Sequence, residues 1–144
     1  LLVIEHGLFE NCKYLEDVNI PENVVCIEGE AFRYCPKLYI PIVIPETIDS
    51  IGDFPFSHSA ISSVTLPNHK VKFGMGAFAD CEYLESFTFP EWMTSVPRGF
   101  LFGCTKLKSI MIPISITEIG EEAFGYCKSS LKSIQLYYNS YGEQ

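Results

Sequence analysis

One repeated pattern organises this chain, and it is clearest in Leu107-Lys108-Ser109-Ile110-Met111-Ile112-Pro113. The same positions read Val18-Asn19-Ile20 and Val64-Thr65-Leu66 elsewhere, with an apolar residue on either side of a polar one. This alternation is typical of a half-buried β-strand. The proline that follows has no N–H and therefore ends the strand ladder. Each copy of the pattern predicts one short strand closed by a proline.

The copies recur with a period of 23 residues, because Cys81, Cys104 and Cys127 stand 23 positions apart. Five of the six cysteines share this column, and a second column is aromatic with one leucine. The cysteine column is Cys12, Cys35, Cys81, Cys104 and Cys127, and the aromatic column is Phe9, Phe32, Phe78, Leu101 and Phe124. About six copies cover residues 1–144, which we interpret as one domain.

A unit of this length cannot bury its own apolar face, so successive copies must stack as coils with parallel strands along one wall. Gly52, Gly74 and Gly120 are predicted to form tight corners of the coils. One residue is inserted near Leu38 to Ile40 and one is missing from residues 56–61, so the two offsets cancel. The predicted fold is a repeat solenoid, mainly β, with short strands and turns.

Composition excludes several classes of protein. The 144 residues are 47% hydrophobic and 19% charged, which is unlike a disordered chain. The net charge of −8 argues against a nucleic-acid partner. We see neither a membrane-spanning run nor a signal peptide, and we predict no membrane insertion. The chain begins within the pattern, so we interpret it as part of a longer protein.

The cysteine spacing argues against a metal site, because zinc ligands come in closely spaced pairs. We expect the column cysteines to be buried free thiols that pack as small apolar groups. Cys26 lies off the column and is predicted to be partly exposed. His6, His58 and His69 occupy unrelated positions of the repeat. The sequence therefore predicts no catalytic residue, no metal and no cofactor.

The outward positions of the strands form rows across the predicted wall. Charge along one row changes from acidic at Glu16 to basic at Lys132, which would orient an extended partner. A middle row is rich in serine, whose hydroxyls either bond to one another or belong to a binding surface. The predicted partner-binding residues are Glu16, Asn19, Thr65, Glu85, Thr88, Trp92, Lys108, Met111, Lys132 and Gln135.

Two aromatic features fall outside these rows. Trp92 occupies a variable position on a corner, where it is either an exposed hot spot or a ring folded back over Pro90 or its neighbours. Tyr137, Tyr138 and Tyr141 are predicted to cover the last coil or to form a tail.

The residues L-x-x-I-x-I-P together with A-F-x-x-C, as in Ala123-Phe124-Gly125-Tyr126-Cys127, resemble the BspA-type leucine-rich repeat. The resemblance covers essentially the whole chain. It implies a right-handed solenoid, carried on secreted or cell-surface proteins of host-associated bacteria and protozoa, and adhesion to host proteins or to other cells. It does not imply an enzyme.

We therefore predict a non-enzymatic protein-interaction module, located outside the cell or at its surface, whose partner is a protein such as a host extracellular-matrix or cell-surface protein. Two alternatives stay open: a structural spacer that displays another domain, and a carbohydrate-binding surface. No capping motif is visible in Leu1 to Leu8, so the open coil faces predict end-to-end self-association.

Overall fold

The computed structural model describes residues 1–127 and 130–137. Within these residues the chain forms eleven short β-strands and no helix, so no helix could cross a membrane. The strands are β1 (Leu2–Ile4), β2 (Val24–Ile27), β3 (Pro41–Val43), β4 (Ser50–Ile51), β5 (Ser63–Thr65), β6 (Lys72–Phe73), β7 (Ser86–Thr88), β8 (Ser95–Val96), β9 (Ser109–Pro113), β10 (Glu118–Ile119) and β11 (Ser133–Tyr137). They belong to a β-solenoid of about six coils.

The coils are numbered 1 to 6 by the residue in the cysteine column, which is Cys12, Cys35, Ser59, Cys81, Cys104 and Cys127. Strands β3, β5, β7, β9 and β11 form what we call the serine wall, where Ser86 and Ser133 both lie beside Ser109. The other strands form what we call the second wall. The prediction of one strand per repeat is wrong for most coils, because the backbone after the proline is also extended and pairs with the next coil.

The first coil departs from this scheme. The sequence predicts a strand at Val18-Asn19-Ile20, but the structure has none there, and no backbone hydrogen bond joins residues 16–20 to residues 40–44. Pro41 begins β3 without an N–H that could reach the first coil. The N–H of the inserted Tyr39 donates to the Lys37 carbonyl of its own turn at 2.8 Å. This corner of coil 2 therefore forms no backbone hydrogen bonds with which the first coil could pair as a strand.

The third side of each coil, the turn side, contains two residues with positive φ, and it forms a further set of bonds between coils. The first such column is Gly7, Glu30, Phe54, Gly76, Gly99 and Glu122, and the second is Asn11, Tyr34, His58, Asp80, Gly103 and Tyr126. This conformation costs a residue with a side chain about 1–2 kcal/mol. It directs N–H groups at the next coil, since Glu30 donates to Asp53 and Tyr34 donates to Ser57, both at 2.9 Å.

Both walls are interrupted between coils 3 and 4. The serine wall divides between β5 and β7, and the second wall divides between β6 and β8. In the second wall, the Gly74 N–H donates to Ile51 at 2.8 Å and the Gly120 N–H donates to Val96 at 2.7 Å. Pro97 occupies the equivalent position in coil 4 and has no N–H to donate. The turn side continues across the interruption, because the Phe54 N–H donates to Met75 at 3.0 Å.

Aromatic rings form the centre of the core. Phe9, Phe32, Phe56 and Phe78 stack with successive centroid distances of 5.2, 5.4 and 5.7 Å. Coil 5 has Leu101 in the phenylalanine column, but Phe100 stands one position earlier, where coils 2, 4 and 6 carry alanine. Both side chains are fully buried, and the Phe100 ring lies 5.3 Å from the Phe78 ring. In coil 5 the phenylalanine ring therefore comes from one position earlier in the chain, and it still fills the core.

The predicted corner glycines have a different role from the one expected. A Cβ on Gly52 would lie 2.5 Å from the nitrogen of Gly29, and a Cβ on Gly120 would lie 2.5 Å from the nitrogen of Arg98. Neither glycine has a positive φ. These positions need glycine because the backbones of adjacent coils touch there, and not because the chain turns in a left-handed conformation.

Phe78→Ala is expected to lower the free energy of unfolding by about 3–5 kcal/mol, because it empties a fully buried position among four neighbouring rings. Urea denaturation measures this change. Tyr14→Ala, at an exposed ring, is the matched control and is expected to cost less than about 1 kcal/mol. Equal costs for the two variants would contradict the core assignment.

Candidate functional site

The serine wall carries most of the residues predicted to bind a partner. Its register places Thr88 beside Met111 and Met111 beside Gln135, one residue per coil. Thr65, Thr88 and Gln135 are exposed, and Met111 is half-buried. Asn19 is exposed but lies outside the strands, because the first coil contributes none to this wall. The wall thus presents one continuous row on coils 4 to 6.

The charged residues of the wall are less independent than the sequence indicates. Lys108 Nζ lies 3.4 Å from Glu85 Oε1, and both side chains are more than half exposed. Such a surface pair contributes about 0–1 kcal/mol to stability. Pairing leaves Lys132 on coil 6 of the wall and Glu16 on the first coil, which lies outside the strands of the wall, and both are exposed. The predicted change from acidic to basic charge therefore depends on these two residues.

The serine row is not a hydroxyl ladder. Ser63, Ser86 and Ser133 are exposed and Ser109 is half-buried. Within residues 1–127 and 130–137, no hydrogen bond joins the hydroxyls of this row to one another. The expectation that these hydroxyls bond to one another is therefore wrong. The strand register directs the side chains outward to solvent. Their donors and acceptors are free to meet a partner.

Trp92 lies apart from the wall and is half-buried. Its ring is parallel to Phe73 with centroids 6.4 Å apart, and its Nε1–H donates to the Pro67 carbonyl at 2.8 Å. Both contacts are to coil 3, so the ring is folded back on the preceding coil. Trp92 is therefore not the exposed hot spot that one of the two interpretations proposed.

Tyr137 ends β11, and its hydroxyl donates to the Phe89 carbonyl two coils away. Partial burial, and secondarily the charge of Glu91, raise the pKa of Tyr137. This contact ties the end of β11 to the interior of the serine wall. Tyr138 and Tyr141 lie outside the described residues.

The column cysteines are free thiols, and those of coils 2, 4, 5 and 6 donate a hydrogen bond to a backbone carbonyl of the preceding coil. The Sγ–H of Cys81 donates to Phe56 at 3.3 Å, and that of Cys104 donates to Phe78 at 3.2 Å. In coil 3, the buried Ser59 replaces the thiol and donates its hydroxyl to Phe32. A strict spacing of 23 residues from Cys35 would place His58 in this column, but the residue inserted in coil 2 shifts the position to Ser59. The predicted apolar packing omits this donor role, which explains why serine fits there.

Burial suppresses the reactivity of these thiols. It raises the pKa of Cys35 to about 11 and raises the pKa of Cys81 and of Cys104 well above that of an ordinary thiol, because a thiolate is poorly solvated in the core. Cys12 and Cys26 are half-buried, and the Ser50 hydroxyl donates to the Cys26 sulfur at 3.2 Å. The described residues contain no group of three or more ligands placed to hold a metal ion.

The histidines lie in separate places. His58 Nε2 is 3.2 Å from Asp80 Oδ2, whereas His69 Nε2 faces the Glu46 carbonyl at 2.6 Å. Ser59 follows His58 in the chain, but its hydroxyl is directed at the backbone of Phe32. The histidine, the carboxylate and the serine therefore do not line up as a nucleophile with its base.

A cleft that the sequence did not predict lies on coil 3, at the corner between the turn side and the serine wall. It has a volume of about 310 Å³ and is lined by Tyr34, Pro36, His58, Ser59, Ala60, Asp80, Glu82 and Tyr83. Coil 3 is one residue short between Ser59 and Ile61, so its corner is recessed between its neighbours. The missing residue was the signal that could have revealed this feature, which we call the coil-3 cleft.

A stack of β-coils about 23 residues apart, with parallel strand walls and a column of buried thiols, defines a leucine-rich repeat solenoid. The chain belongs to the BspA type leucine rich repeat family, whose model matches residues 3–137 in six copies. This match confirms the resemblance and the repeat-solenoid fold predicted from the sequence. No curated protein matches the chain.

Solved structures of leucine-rich repeat proteins are similar to this chain. One from Bacteroides ovatus has 28% identity and a TM-score of 0.73 over 97% of this chain and 42% of its own. One from Eubacterium ventriosum has 25% identity and a TM-score of 0.70 over 81% of this chain and 30% of its own. The T. pallidum protein, at 17% identity and a TM-score of 0.65, covers 95% of this chain and 65% of its own and shows the fold alone. This chain spans between 30% and 65% of the length of these proteins.

Thiol labelling of the native protein is expected to show two classes of cysteine. Cys12 and Cys26 should react with Ellman's reagent near neutral pH, and the four buried thiols should react only after denaturant is added. A variant with Cys12→Ser and Cys26→Ser should show no fast phase. Rapid labelling of more than two thiols would contradict the burial of the column.

Proposed function

We propose that this chain is a non-enzymatic interaction module that binds a partner protein along the serine wall. The observation that carries the proposal is the row of outward hydroxyls on β5, β7, β9 and β11, which have no bonds to one another in the described structure. Repeat solenoids use such extended surfaces to bind other proteins. The regular spacing of one residue per coil suits a partner segment that runs across several strands.

The location outside the cell or at its surface is part of the same proposal. It is supported by membership of the BspA type leucine rich repeat family. A host extracellular-matrix or cell-surface protein is the kind of partner we propose, with adhesion as the outcome. The buried thiols fit this location, because free cysteines in an oxidising compartment persist when solvent and oxidants do not reach them.

Reversing the charges of the wall tests the proposal. The variant carries Glu16→Lys, Glu85→Lys, Lys108→Glu and Lys132→Glu, so the net charge of −8 is unchanged. The ion pair of residues 85 and 108 is kept in reversed order. Binding to immobilised extracellular-matrix proteins and to cells is expected to weaken by about tenfold or more, because the partner then meets like charges.

A control reverses two charges on the other wall. Lys72→Glu and Glu118→Lys reverse two exposed charges of the second wall and leave the net charge unchanged. This control is expected to bind as the native chain does. Equal loss in both variants would contradict a site on the serine wall. Failure of the native chain to bind any tested protein would favour the spacer, and binding of glycans alone would favour a carbohydrate surface.

We also propose that the 144-residue chain, taken by itself, self-associates end to end through the edge of β1 that faces away from β2. Strand β1 pairs with β2 on one side, and Leu2 and Val3 are exposed. An unpaired strand with apolar side chains is a template for another strand. The weight-average mass from sedimentation should therefore rise with protein concentration.

A charged edge is the control for this association. Val3→Lys places a charge at an exposed position of β1 and is expected to keep the chain monomeric. A native chain that stays monomeric at high concentration contradicts the proposal. An association that Val3→Lys leaves unchanged contradicts the assignment to this edge.

A further inference from the structure

We infer that an extended acidic segment of a partner protein binds in the second wall, where it pairs with β6 in the gap between β6 and β8. We call this feature the second-wall gap, and its volume is about 300 Å³. No Cα atom of β6 lies within 8 Å of a Cα atom of β8, whereas paired strands lie about 4.8 Å apart. A strand that pairs with β6 therefore has space where β8 would otherwise lie. The inference does not rest on the serine wall, which is another side of the coils.

The gap accompanies an altered turn in coil 3. In coils 1, 2, 4 and 5 the third residue after the proline donates its N–H to the proline carbonyl at 3.0–3.1 Å, and the donors are Val24, Ile48, Met93 and Ile116. In coil 3 the third residue is Lys70, which is exposed, and the Pro67 carbonyl accepts the Trp92 Nε1–H at 2.8 Å instead. Trp92 therefore replaces the turn's own donor. Pro97, which lines the other end of the gap, has no N–H to pair with β6.

Unpaired backbone groups of both strands face the gap. Lys72 and Gly74 donate their N–H groups to coil 2 at 3.0 and 2.8 Å, so the N–H and C=O of Phe73 between them point the other way, toward β8. On β8, both neighbours of Ser95 accept N–H groups of coil 5, so Ser95 directs its own groups toward β6. No backbone hydrogen bond joins residues 70–74 to residues 93–97. Donors and acceptors at an open strand edge are the groups that an extended peptide backbone matches.

The charged side chains at the gap favour an acidic segment. Lys70 and Lys72 are exposed and flank the buried Val71, so both project from the outer face. Within residues 1–127 and 130–137, neither lysine belongs to an ion pair or to a cation–π contact. No carboxylate is among the residues that line the gap. A segment with acidic residues at alternate positions would therefore place two carboxylates beside two unpaired ammonium groups.

The inner side of the gap favours an apolar residue between the two acidic ones. Val71 and Met93 line the gap and are buried, and Phe73 and Trp92 line it with half-buried, parallel rings. Successive side chains of a strand point to opposite faces, so the residue between two outward carboxylates would point to this apolar lining. The segment that fits is therefore acidic, apolar and acidic in turn.

Hydrogen exchange in the presence of a short peptide tests the inference. The probe is acetyl-Glu-Val-Glu-Val-Glu-amide, and a matched probe has glutamine in place of each glutamate. The glutamate peptide is expected to slow exchange of the Phe73 N–H by about tenfold or more, because this group gains an acceptor. The Lys72 N–H, which already donates to Asp49, is the internal reference and should not change.

A third probe tests the backbone contacts. It has the sequence of the glutamate peptide with methylated backbone nitrogens, so it keeps the charge but cannot donate hydrogen bonds as a strand. It is expected to leave the exchange of Phe73 unchanged. Protection of Phe73 by the methylated peptide, or equal protection by the glutamine peptide, would overturn the inference. So would the absence of protection by the glutamate peptide at millimolar concentration.

Two double variants locate the charge contact. Lys70→Gln with Lys72→Gln is expected to weaken binding of the glutamate peptide by about tenfold, since two exposed ion pairs are lost. Lys13→Gln with Lys132→Gln makes the same change of charge at exposed positions away from the gap and should leave the affinity unchanged. Equal weakening in both double variants would overturn the inference. The serine-wall variant with four reversed charges should bind the peptide as the native chain does, so the two proposals fail separately.

Discussion

Backbone N–H groups that point from each coil to the next are the constraint on which this structure depends. They run along the turn side at Gly7, Glu30, Phe54, Gly76 and Gly99, each of which donates to the following coil at 2.9–3.0 Å. Holding these residues at positive φ costs free energy wherever a side chain is present. The same geometry stacks equivalent positions on top of one another, and the core and both walls follow from that stacking.

The turn side also explains how the solenoid tolerates irregular strands. The strand pairing of both walls is interrupted between coils 3 and 4. The rings of Phe56 in coil 3 and Phe78 in coil 4 still stack there, with their centroids 5.7 Å apart. Pro97 removes one donor from the second wall without separating the coils. Stability of the rod therefore resides in the turn bonds and the buried columns, and the exposed walls are left free to vary.

Substitutions within a column keep the physical role of the position when the shape of the coil allows it. Ser59 donates its hydroxyl where other coils donate a thiol, and Phe100 supplies the ring that Leu101 lacks. Departures that change the length of a coil act differently, since they alter the surface. The recess of coil 3 and the ring of Tyr39 beside it are of this second kind. We therefore place the proposed binding features where the repeat is exposed or broken.

The sequence alone determined the period, the buried columns and the outward rows, because stacking equal units requires each position to meet its own equivalent. It could not determine contacts between different columns. The second-wall strands of coils 1 to 5 and the return of Trp92 to Pro67 depend on distances between neighbouring coils. The coil-3 cleft likewise needed the tertiary structure, since an insertion and a deletion that cancel in the sequence lie side by side in space and do not cancel at the surface.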